Sequence, residues 1–249
     1  MKISDALSSL DEYTRRARVW PGFIAASPIL VLAVLFLPRA PLAALAPLVG
    51  FMGAAFLLAN IVRSRGKALE ARLVASWDGM PTTHALRYRE SQNIVLLGRR
   101  RAVLEQIMGS PLPTRRQEQA NPAKADEAYI AATRVLISRV RAKSSSFPLV
   151  QEENIAYGYA RNLLGLKLIG LTLLLLAFMV DAYVLWRNGP SIQAWVAIGI
   201  HLALTATWLL FIRESWVRQA GETYAERLFE TLDSRDLLLD AKDGQGRGS

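Results

Sequence analysis

Four long apolar segments constrain this chain more than any other feature of its sequence. They are residues 19–37, 41–62, 168–186 and 194–212. Each is 19 to 22 residues long, and Asp181 and His201 are the only Asp, Glu, Lys, Arg or His residues within them. A helix needs about 20 residues to cross about 30 Å of hydrocarbon, whereas helices of soluble proteins keep a polar face. The sequence therefore predicts an all-α membrane protein with four transmembrane helices.

The distribution of Lys and Arg predicts the orientation of these helices. Residues 1–18 carry four such side chains, residues 63–167 carry 18 and residues 213–249 carry six, while each of the two short connections carries one. Positively charged loops stay on the cytoplasmic side of a membrane. Both termini and the long middle segment are therefore predicted to be cytoplasmic.

Helix signals and helix breakers divide the remainder of the chain. The second apolar segment continues as a helix up to Trp77, a later helix is closed by Gly109, and Asn121 caps the next one. The predicted organisation is an amphipathic helix over 1–18, a transmembrane hairpin over 19–62, a basic helical cytoplasmic domain over 63–165, a second hairpin over 166–212, a C-terminal cytoplasmic helix over 213–240 and a disordered tail over 241–249.

The residues needed for enzyme or metal chemistry are scarce. The chain has no cysteine and only two histidines, His84 and His201, which are far apart in sequence. No metal-binding His spacing, nucleophile elbow or phosphate-binding glycine loop is present. The sequence predicts that the protein is not an enzyme and uses no metal or cofactor.

Two polar residues stand out within the apolar segments. A charge at the bilayer centre costs about 3 kcal/mol or more, so such a side chain faces a partner or water. His201 lies in mid-segment, where a neutral imidazole can hydrogen-bond to a neighbouring helix. Asp181 lies near the outer end of its segment, where it can reach the interface. Both are candidates for a pore or gating role, and a purely structural role is the alternative for each.

The middle segment carries more positive charge than topology requires. Residues 63–167 contain 18 basic and nine acidic side chains, and the rule that sets topology weakens beyond about 15–20 residues from a membrane end. The arginines beyond that reach are the candidate ligand-binding residues: Arg99, Arg100, Arg101, Arg115, Arg116, Arg139 and Arg141.

The Arg99–Arg101 triplet is unfavourable without a neighbouring anion. On a helical wheel, Arg100 falls in the middle of an apolar stripe formed by Leu96, Val103 and Ile107. Three interpretations remain open for the compensating anion. It is a phosphate-bearing ligand, a carboxylate of the protein itself such as one from the acidic C-terminal helix, or a lipid headgroup.

Two stretches carry a resemblance to a known group of proteins. They are WDGMPTTHALRYR, which follows the second apolar segment, and FPLVQEENIAYGYARNLLGLK, which leads into the third. With the four-span, cysteine-free layout, they resemble small bacterial membrane proteins encoded beside nucleotidyltransferase-like genes, the transmembrane effectors of Hailong antiphage systems. The resemblance implies a channel of the bacterial inner membrane, held closed by short single-stranded DNA that the neighbouring enzyme makes.

Two hypotheses of function follow. The first is a homo-oligomeric, multi-pass inner-membrane effector in antiphage defence, acting as a ligand-gated ion channel or pore. Its cytoplasmic domain would bind a phosphate-rich ligand, single-stranded DNA or a nucleotide, and a nucleotidyltransferase encoded by a neighbouring gene would be its partner. The alternative is a non-enzymatic membrane scaffold that docks an acidic cytoplasmic protein. Both hypotheses place the chain in contact with the lipid bilayer.

Overall fold

The computed structural model describes residues 11–36 and 51–234, with only the backbone described for residues 51–58. Every regular element in these ranges is helical. In chain order the helices are α1 Glu12–Phe36, α2 Phe51–Ser76, α3 Pro81–His84, α4 Ile94–Met108, α5 Arg115–Ala120, α6 Pro122–Ala142, α7 Pro148–Gly165, α8 Lys167–Asn188, α9 Ile192–Leu210 and α10 Glu214–Glu230.

Three of these helices are long and apolar enough to cross a membrane, namely α1, α8 and α9. They correspond to the first, third and fourth predicted spans. The predicted second span begins at residue 41, and its first ten residues lie outside the described residues. Four spans and their orientation therefore stay predictions, as do the parts of the N-terminal helix, the C-terminal helix and the tail that fall in 1–10 and 235–249.

The chain divides into two compact units. The first, here called the span unit, contains residues up to 73 and residues 155–217. The second, here called the Arg-rich unit, contains residues 74–154 and residues from 218 onward. The predicted cytoplasmic domain over 63–165 is thus shared between the units, because both ends of that segment pack with the candidate spans. The predicted C-terminal helix contributes most of its length to the Arg-rich unit.

Two prolines in α1 leave carbonyl groups without their usual partners, and the span unit supplies substitutes. Pro21 has no N–H for the Ala17 carbonyl, which instead accepts a 2.6 Å hydrogen bond from the Asn162 amide on α7. Pro28 likewise releases the Ile24 carbonyl, which accepts from the Ser27 hydroxyl at 2.8 Å. Apolar helices tolerate proline where side chains satisfy the freed backbone groups in this way. A π-helical turn over Arg15–Val19 precedes Pro21 and adjusts the register there.

Glycines set the closest helix approaches in the span unit. A Cβ atom on Gly165 of α7 would lie 3.0 Å from the Gly66 backbone nitrogen of α2, so a larger residue would force the two backbones apart. A Cβ atom on Gly170 of α8 would lie 2.6 Å from the ring of Trp208 on α9. Trp208 is 1% exposed and belongs to the apolar core of this unit.

The Arg-rich unit has its own apolar core. Side chains of α4, α6 and α10 meet there, with Leu104, Tyr129, Leu136 and Leu228 fully buried. The predicted helix ends are confirmed. Gly109 adopts the left-handed backbone conformation and ends α4. The Asn121 side chain accepts a hydrogen bond from the Lys124 backbone amide at the start of α6. Helix α2 ends at Ser76, one residue before the predicted Trp77.

Candidate functional site

A buried ion pair joins the three candidate spans. His201 of α9 is 0% exposed and Asp181 of α8 is 1% exposed. The His201 Nδ1 atom lies 2.6 Å from the Asp181 Oδ2 atom, and the Nε2 atom lies 3.3 Å from the Pro28 carbonyl oxygen of α1. Phe178 packs against the imidazole edge to face at 5.8 Å between ring centres. A single side chain thus links α1, α8 and α9 through polar contacts.

The positions of His201 and Asp181 confirm one expectation drawn from the sequence and correct another. The expected hydrogen bonding of His201 to neighbouring helices is confirmed. The expectation that Asp181 reaches the membrane interface is wrong, because its carboxylate turns inward to the imidazole. One helical face carries both Phe178 and Asp181, three residues apart, so the side that packs on His201 includes the carboxylate. Whether the pair acts in a pore or a gate stays a prediction.

The contacts of the imidazole fix the number of protons on the pair. A carbonyl oxygen only accepts hydrogen bonds, so Nε2 must carry the proton that points to Pro28. The short Nδ1···Oδ2 contact needs one more proton, whether it resides on the imidazole or on the carboxyl group. In both arrangements the pair has no net charge, which suits an apolar environment. The Asp181 Oδ1 atom is buried and has no hydrogen-bond partner among the described residues.

The arginine triplet of α4 does not point in one direction. Arg101 is buried and donates to the Leu86 carbonyl at 2.9 Å and to the Pro113 carbonyl. Its guanidinium also stacks on Tyr88 and Tyr129, 4.4 and 5.1 Å from their ring centres. These contacts connect α4 to the chain on both sides of it. Arg101 is therefore a structural residue of the Arg-rich unit, and its donors face the protein interior.

The apolar stripe of α4 differs from the predicted one. The buried positions are Leu97, Arg101, Leu104 and Ile107, so the arginine within the stripe is Arg101 and not Arg100. Both choices fit the 3.6-residue period, because leucines at 96 and 97 begin stripes one position apart. Packing of α4 against α6 determines that the stripe containing Leu97 and Arg101 is the buried one.

Arg99 and Arg100 lie beside the acidic C-terminal segment. Arg99 forms a 2.9 Å ion pair with Asp233, in which both side chains are more than half exposed. Arg100 lies over the Phe229 ring at 5.5 Å. Both arginines line a cavity of about 210 Å³, together with Leu96, Val103, Glu226, Phe229, Glu230, Leu232 and Asp233. The interpretation that the protein's own carboxylates compensate the triplet thus has a direct contact in its favour.

The remaining predicted arginines are dispersed. Arg139 donates to the Ile107 carbonyl at 2.9 Å and so caps the end of α4. Arg115 and Arg116 are exposed in the first turn of α5, and Arg141 is exposed near the end of α6. Within the described part of the chain, no carboxylate forms an ion pair with Arg115, Arg116 or Arg141.

The charge of the Arg-rich unit is nearly balanced. Residues 74–154 carry 12 basic and eight acidic side chains, and residues 218–234 add two basic and four acidic ones. Five of the nine net positive charges of residues 63–167 lie in the span unit, and residues 218–234 offset two more. Any attraction for an anion depends on local clusters of arginines rather than on the overall charge.

Sequence reasoning missed the most heavily bonded arginine of this unit. Arg87 is 1% exposed and donates two hydrogen bonds of 2.9 and 2.6 Å to the Asp126 carboxylate. It also forms ion pairs with Glu90 and Asp78. Burial alone would lower the pKa of Arg87, but the hydrogen bonds to Asp126 and Glu90 outweigh burial and raise it. Arg87 lies in the stretch WDGMPTTHALRYR, so the only sequence signal was that stretch itself.

A second network in the same unit involves a buried glutamate. Glu118 is 2% exposed and accepts from the backbone amides of Tyr88 and Arg89 and from the Tyr129 hydroxyl at 2.6 Å. Burial alone would raise the pKa of Glu118, but these hydrogen bonds hold it below its ordinary value. Burial and the bond to Glu118 raise the pKa of Tyr129 to about 12. The network fixes the segment between α3 and α4 onto α5 and α6.

The other quoted stretch also contains a network, in the span unit. Arg161 of α7 donates to Glu70 of α2 at 2.7 Å, and the Tyr157 hydroxyl donates to the same carboxylate oxygen at 2.9 Å. Burial raises the pKa of the Tyr157 hydroxyl above its ordinary range. Both stretches that carried the resemblance therefore hold the protein together through charged contacts.

No three His, Asp or Glu side chains converge as metal ligands among the described residues. The chain matches no protein-family model, no curated protein and no solved structure at a significant level. The resemblance drawn from its sequence therefore stays a prediction.

Proposed function

We propose that this protein is an oligomeric, ion-conducting effector of the bacterial inner membrane, and that a phosphate-rich ligand on its Arg-rich unit regulates conduction. The observation that carries the proposal is the His201–Asp181 pair buried among three apolar helices. Ionisable residues within membrane helices are costly and mark ion or proton pathways. An antiphage role, with a nucleotidyltransferase supplying the ligand, follows from the resemblance and belongs to the same proposal.

The outer surface of the candidate spans supports self-association in the membrane. Large apolar side chains such as Leu168, Met179 and Ile192 are 76, 63 and 82% exposed. A surface of this kind requires lipid or further copies of the chain.

Support for an anionic ligand comes from Arg115, Arg116 and Arg141. These side chains are exposed, and no carboxylate of the described part of the chain pairs with them. An arginine guanidinium binds phosphate through two parallel hydrogen bonds. Arg101 is excluded from the ligand site by its internal contacts, and an anionic ligand must compete with Asp233 for Arg99.

Ligand binding is tested by titrating a fluorescent single-stranded oligodeoxynucleotide against the detergent-solubilised protein at several salt concentrations. Each phosphate contact that is lost should reduce the slope of log affinity against log salt by about 0.7. Replacing Arg115 and Arg116 by alanine should therefore flatten the slope by about 1.4. The control replaces Arg218 and Arg227, two exposed arginines of α10 that pair with neighbouring glutamates, and leaves the slope unchanged. Equal slopes for both variants would refute the proposed ligand site.

Conduction is tested in cells. Expression should depolarise the inner membrane, as measured with a voltage-sensitive dye, and arrest growth. Co-expression of an enzyme that makes the ligand should change both effects. A fully polarised membrane with and without that enzyme would remove the support for conduction.

The scaffold hypothesis is favoured by one observation. At the start of α4, Ile94 is 51% exposed and Val95 is 84% exposed, which leaves an apolar tip on the Arg-rich unit. A protein partner would cover such a tip. Replacing Val95 by Glu should abolish capture of an acidic partner if the scaffold hypothesis is correct, and should leave ion flux intact if it is not.

A further inference from the structure

We propose that the His201–Asp181 pair is a proton-binding site, so that the ion carried by this protein is H⁺. The inference rests on the proposed conduction of ions and deepens it by naming the ion. It depends on the two ends of the pair, the unpartnered Oδ1 atom of Asp181 and the Nε2 atom of His201, which touches Pro28.

The first end accepts a proton. Oδ1 of Asp181 is buried without a hydrogen-bond partner among the described residues, although its companion Oδ2 is bonded at 2.6 Å. An unpaired buried acceptor costs about 1–3 kcal/mol. A pair that served only to hold helices together would be more stable with this oxygen bonded or replaced by an apolar group. The free lone pair is therefore the feature that distinguishes a proton site from a structural link.

The second end releases a proton. The contact from His201 Nε2 to the Pro28 carbonyl is 3.3 Å, longer than the bond at Nδ1. Nε2 is thus the more weakly held of the two N–H positions, and it points to α1 whereas Nδ1 points to α8. Uptake on α8 and release beside α1 separate the two events in space.

The transfer balances without any change in oxidation state. A hydronium ion donates a proton to Oδ1, forming an O–H bond and leaving water, and the pair gains one positive charge. The Nε2–H bond of His201 then breaks, and its proton passes to another water molecule. The pair is neutral again. Reorientation of the ring exchanges its two nitrogens, and rotation of the carboxyl group exchanges Oδ1 and Oδ2, which together return the pair to its starting arrangement.

The surroundings of the pair favour H⁺ over metal cations. A K⁺ or Na⁺ ion needs several oxygen ligands to replace its hydration shell, whereas a proton needs a single lone pair. Helix α1 contributes only the Pro28 carbonyl, and α8 contributes Phe178 besides Asp181. Over the described side chains of Trp20–Phe36, α8 and α9, no other Asp, Glu, Lys, Arg or His faces the pair.

The experiment uses the full-length protein reconstituted into liposomes, with and without a single-stranded oligodeoxynucleotide. Proton flux is measured with an internal pH-sensitive dye while valinomycin and a K⁺ gradient supply the driving force. Flux of K⁺ is measured separately, without valinomycin, with a K⁺-sensitive dye. We expect proton flux without K⁺ flux in one of the two ligand conditions.

The variants test the site. Asp181→Asn and His201→Gln should reduce proton flux to the level of protein-free liposomes. The matched control is Thr207→Val on α9, whose exposed hydroxyl donates to the Ala203 carbonyl of the same helix at 2.9 Å, and it should conduct like the parent protein. Size-exclusion profile and thermal unfolding in detergent verify that each variant folds.

The possible results separate the two proposals. Proton flux that is lost in both site variants and kept in the control supports the inference. K⁺ flux in the parent protein overturns the inference but leaves the proposed ion conduction intact. Proton flux that survives Asp181→Asn has the same consequence. Absence of both fluxes from the parent protein, with and without the oligonucleotide, overturns the proposed function and the inference together. The ion preference of the parent protein is decisive even if both site variants fail to fold.

Discussion

Replacing Arg101 by alanine tests whether the arginine triplet of α4 is structural or ligand-binding. The Arg101 guanidinium lies between the Tyr88 and Tyr129 rings and donates to the Leu86 and Pro113 carbonyls. Its neighbour Arg99 pairs with Asp233, at a site where the arginine side chain is 67% exposed. The two substitutions remove the same charge from very different environments.

The expected magnitudes differ accordingly. Each hydrogen bond from a charged group contributes about 1.5–3 kcal/mol, and each guanidinium–aromatic contact adds about 0.5–2 kcal/mol. Alanine also relieves the cost of burying the guanidinium, which offsets part of this sum. The substitution leaves the Leu86 and Pro113 carbonyls without this donor, which costs about 1–3 kcal/mol for each, and we expect a loss of about 3–5 kcal/mol for Arg101→Ala. An exposed ion pair contributes about 0–1 kcal/mol, so Arg99→Ala should have little effect on stability.

Hydrogen–deuterium exchange of the full-length protein in detergent micelles measures this difference locally. A loss of about 3–5 kcal/mol lowers the protection factor by a factor of about 10² to about 4 × 10³, since 1.4 kcal/mol corresponds to a factor of ten. The loss should appear in peptides covering α4, α5 and α6. Arg101→Met, which keeps most of the packing volume but no donor, separates the hydrogen bonds from the packing. The structural assignment of Arg101 would be refuted if Arg101→Ala had the same protection as the parent protein, or if Arg99→Ala had lower protection than Arg101→Ala.

The remaining predictions concern buried polar contacts. Glu118→Gln should destabilise the Arg-rich unit by about 1–3 kcal/mol at neutral pH, because one backbone N–H then faces an amide donor. The folded pKa of Glu118 lies below its ordinary value, so its stabilisation is present at neutral pH and is lost as pH falls below about 4.3. A pH series of exchange should therefore show a larger loss of stability in the parent protein than in Glu118→Gln. Asn162→Ala should cost about 1–3 kcal/mol of stability, because it leaves the Ala17 carbonyl unpaired. Pro21→Ala should recover part of that loss by restoring an N–H donor for this carbonyl. A double-mutant cycle followed by thermal unfolding measures the coupling between the two substitutions. Gly66→Ala should cost about 1–3 kcal/mol in the same assay, because its Cβ would overlap the Asn162 side chain.

Contacts distant in sequence explain where prediction from the sequence failed. The pairing of Arg87 with Asp126 joins residues 39 positions apart, and that of Arg161 with Glu70 joins residues 91 positions apart. No local pattern marks such partners, because a buried arginine and an exposed one have the same sequence environment until the chain folds. The error at Arg100 has the same origin. The helical period allowed two adjacent stripes on α4, and the choice between them depended on which face met α6.

The sequence by itself determined the features that depend on neighbouring residues. Three apolar segments long enough to span a bilayer, the helical character of the chain and the helix ends at Gly109 and Asn121 all follow from local composition and backbone chemistry. Only the tertiary structure decided that Asp181 turns to His201 rather than to the interface, and that Arg101 turns inward while Arg99 meets Asp233. The physical reason is that a polar side chain in a poorly solvated site is stabilised by whichever partner folding brings within hydrogen-bond distance, and sequence separation does not encode that distance.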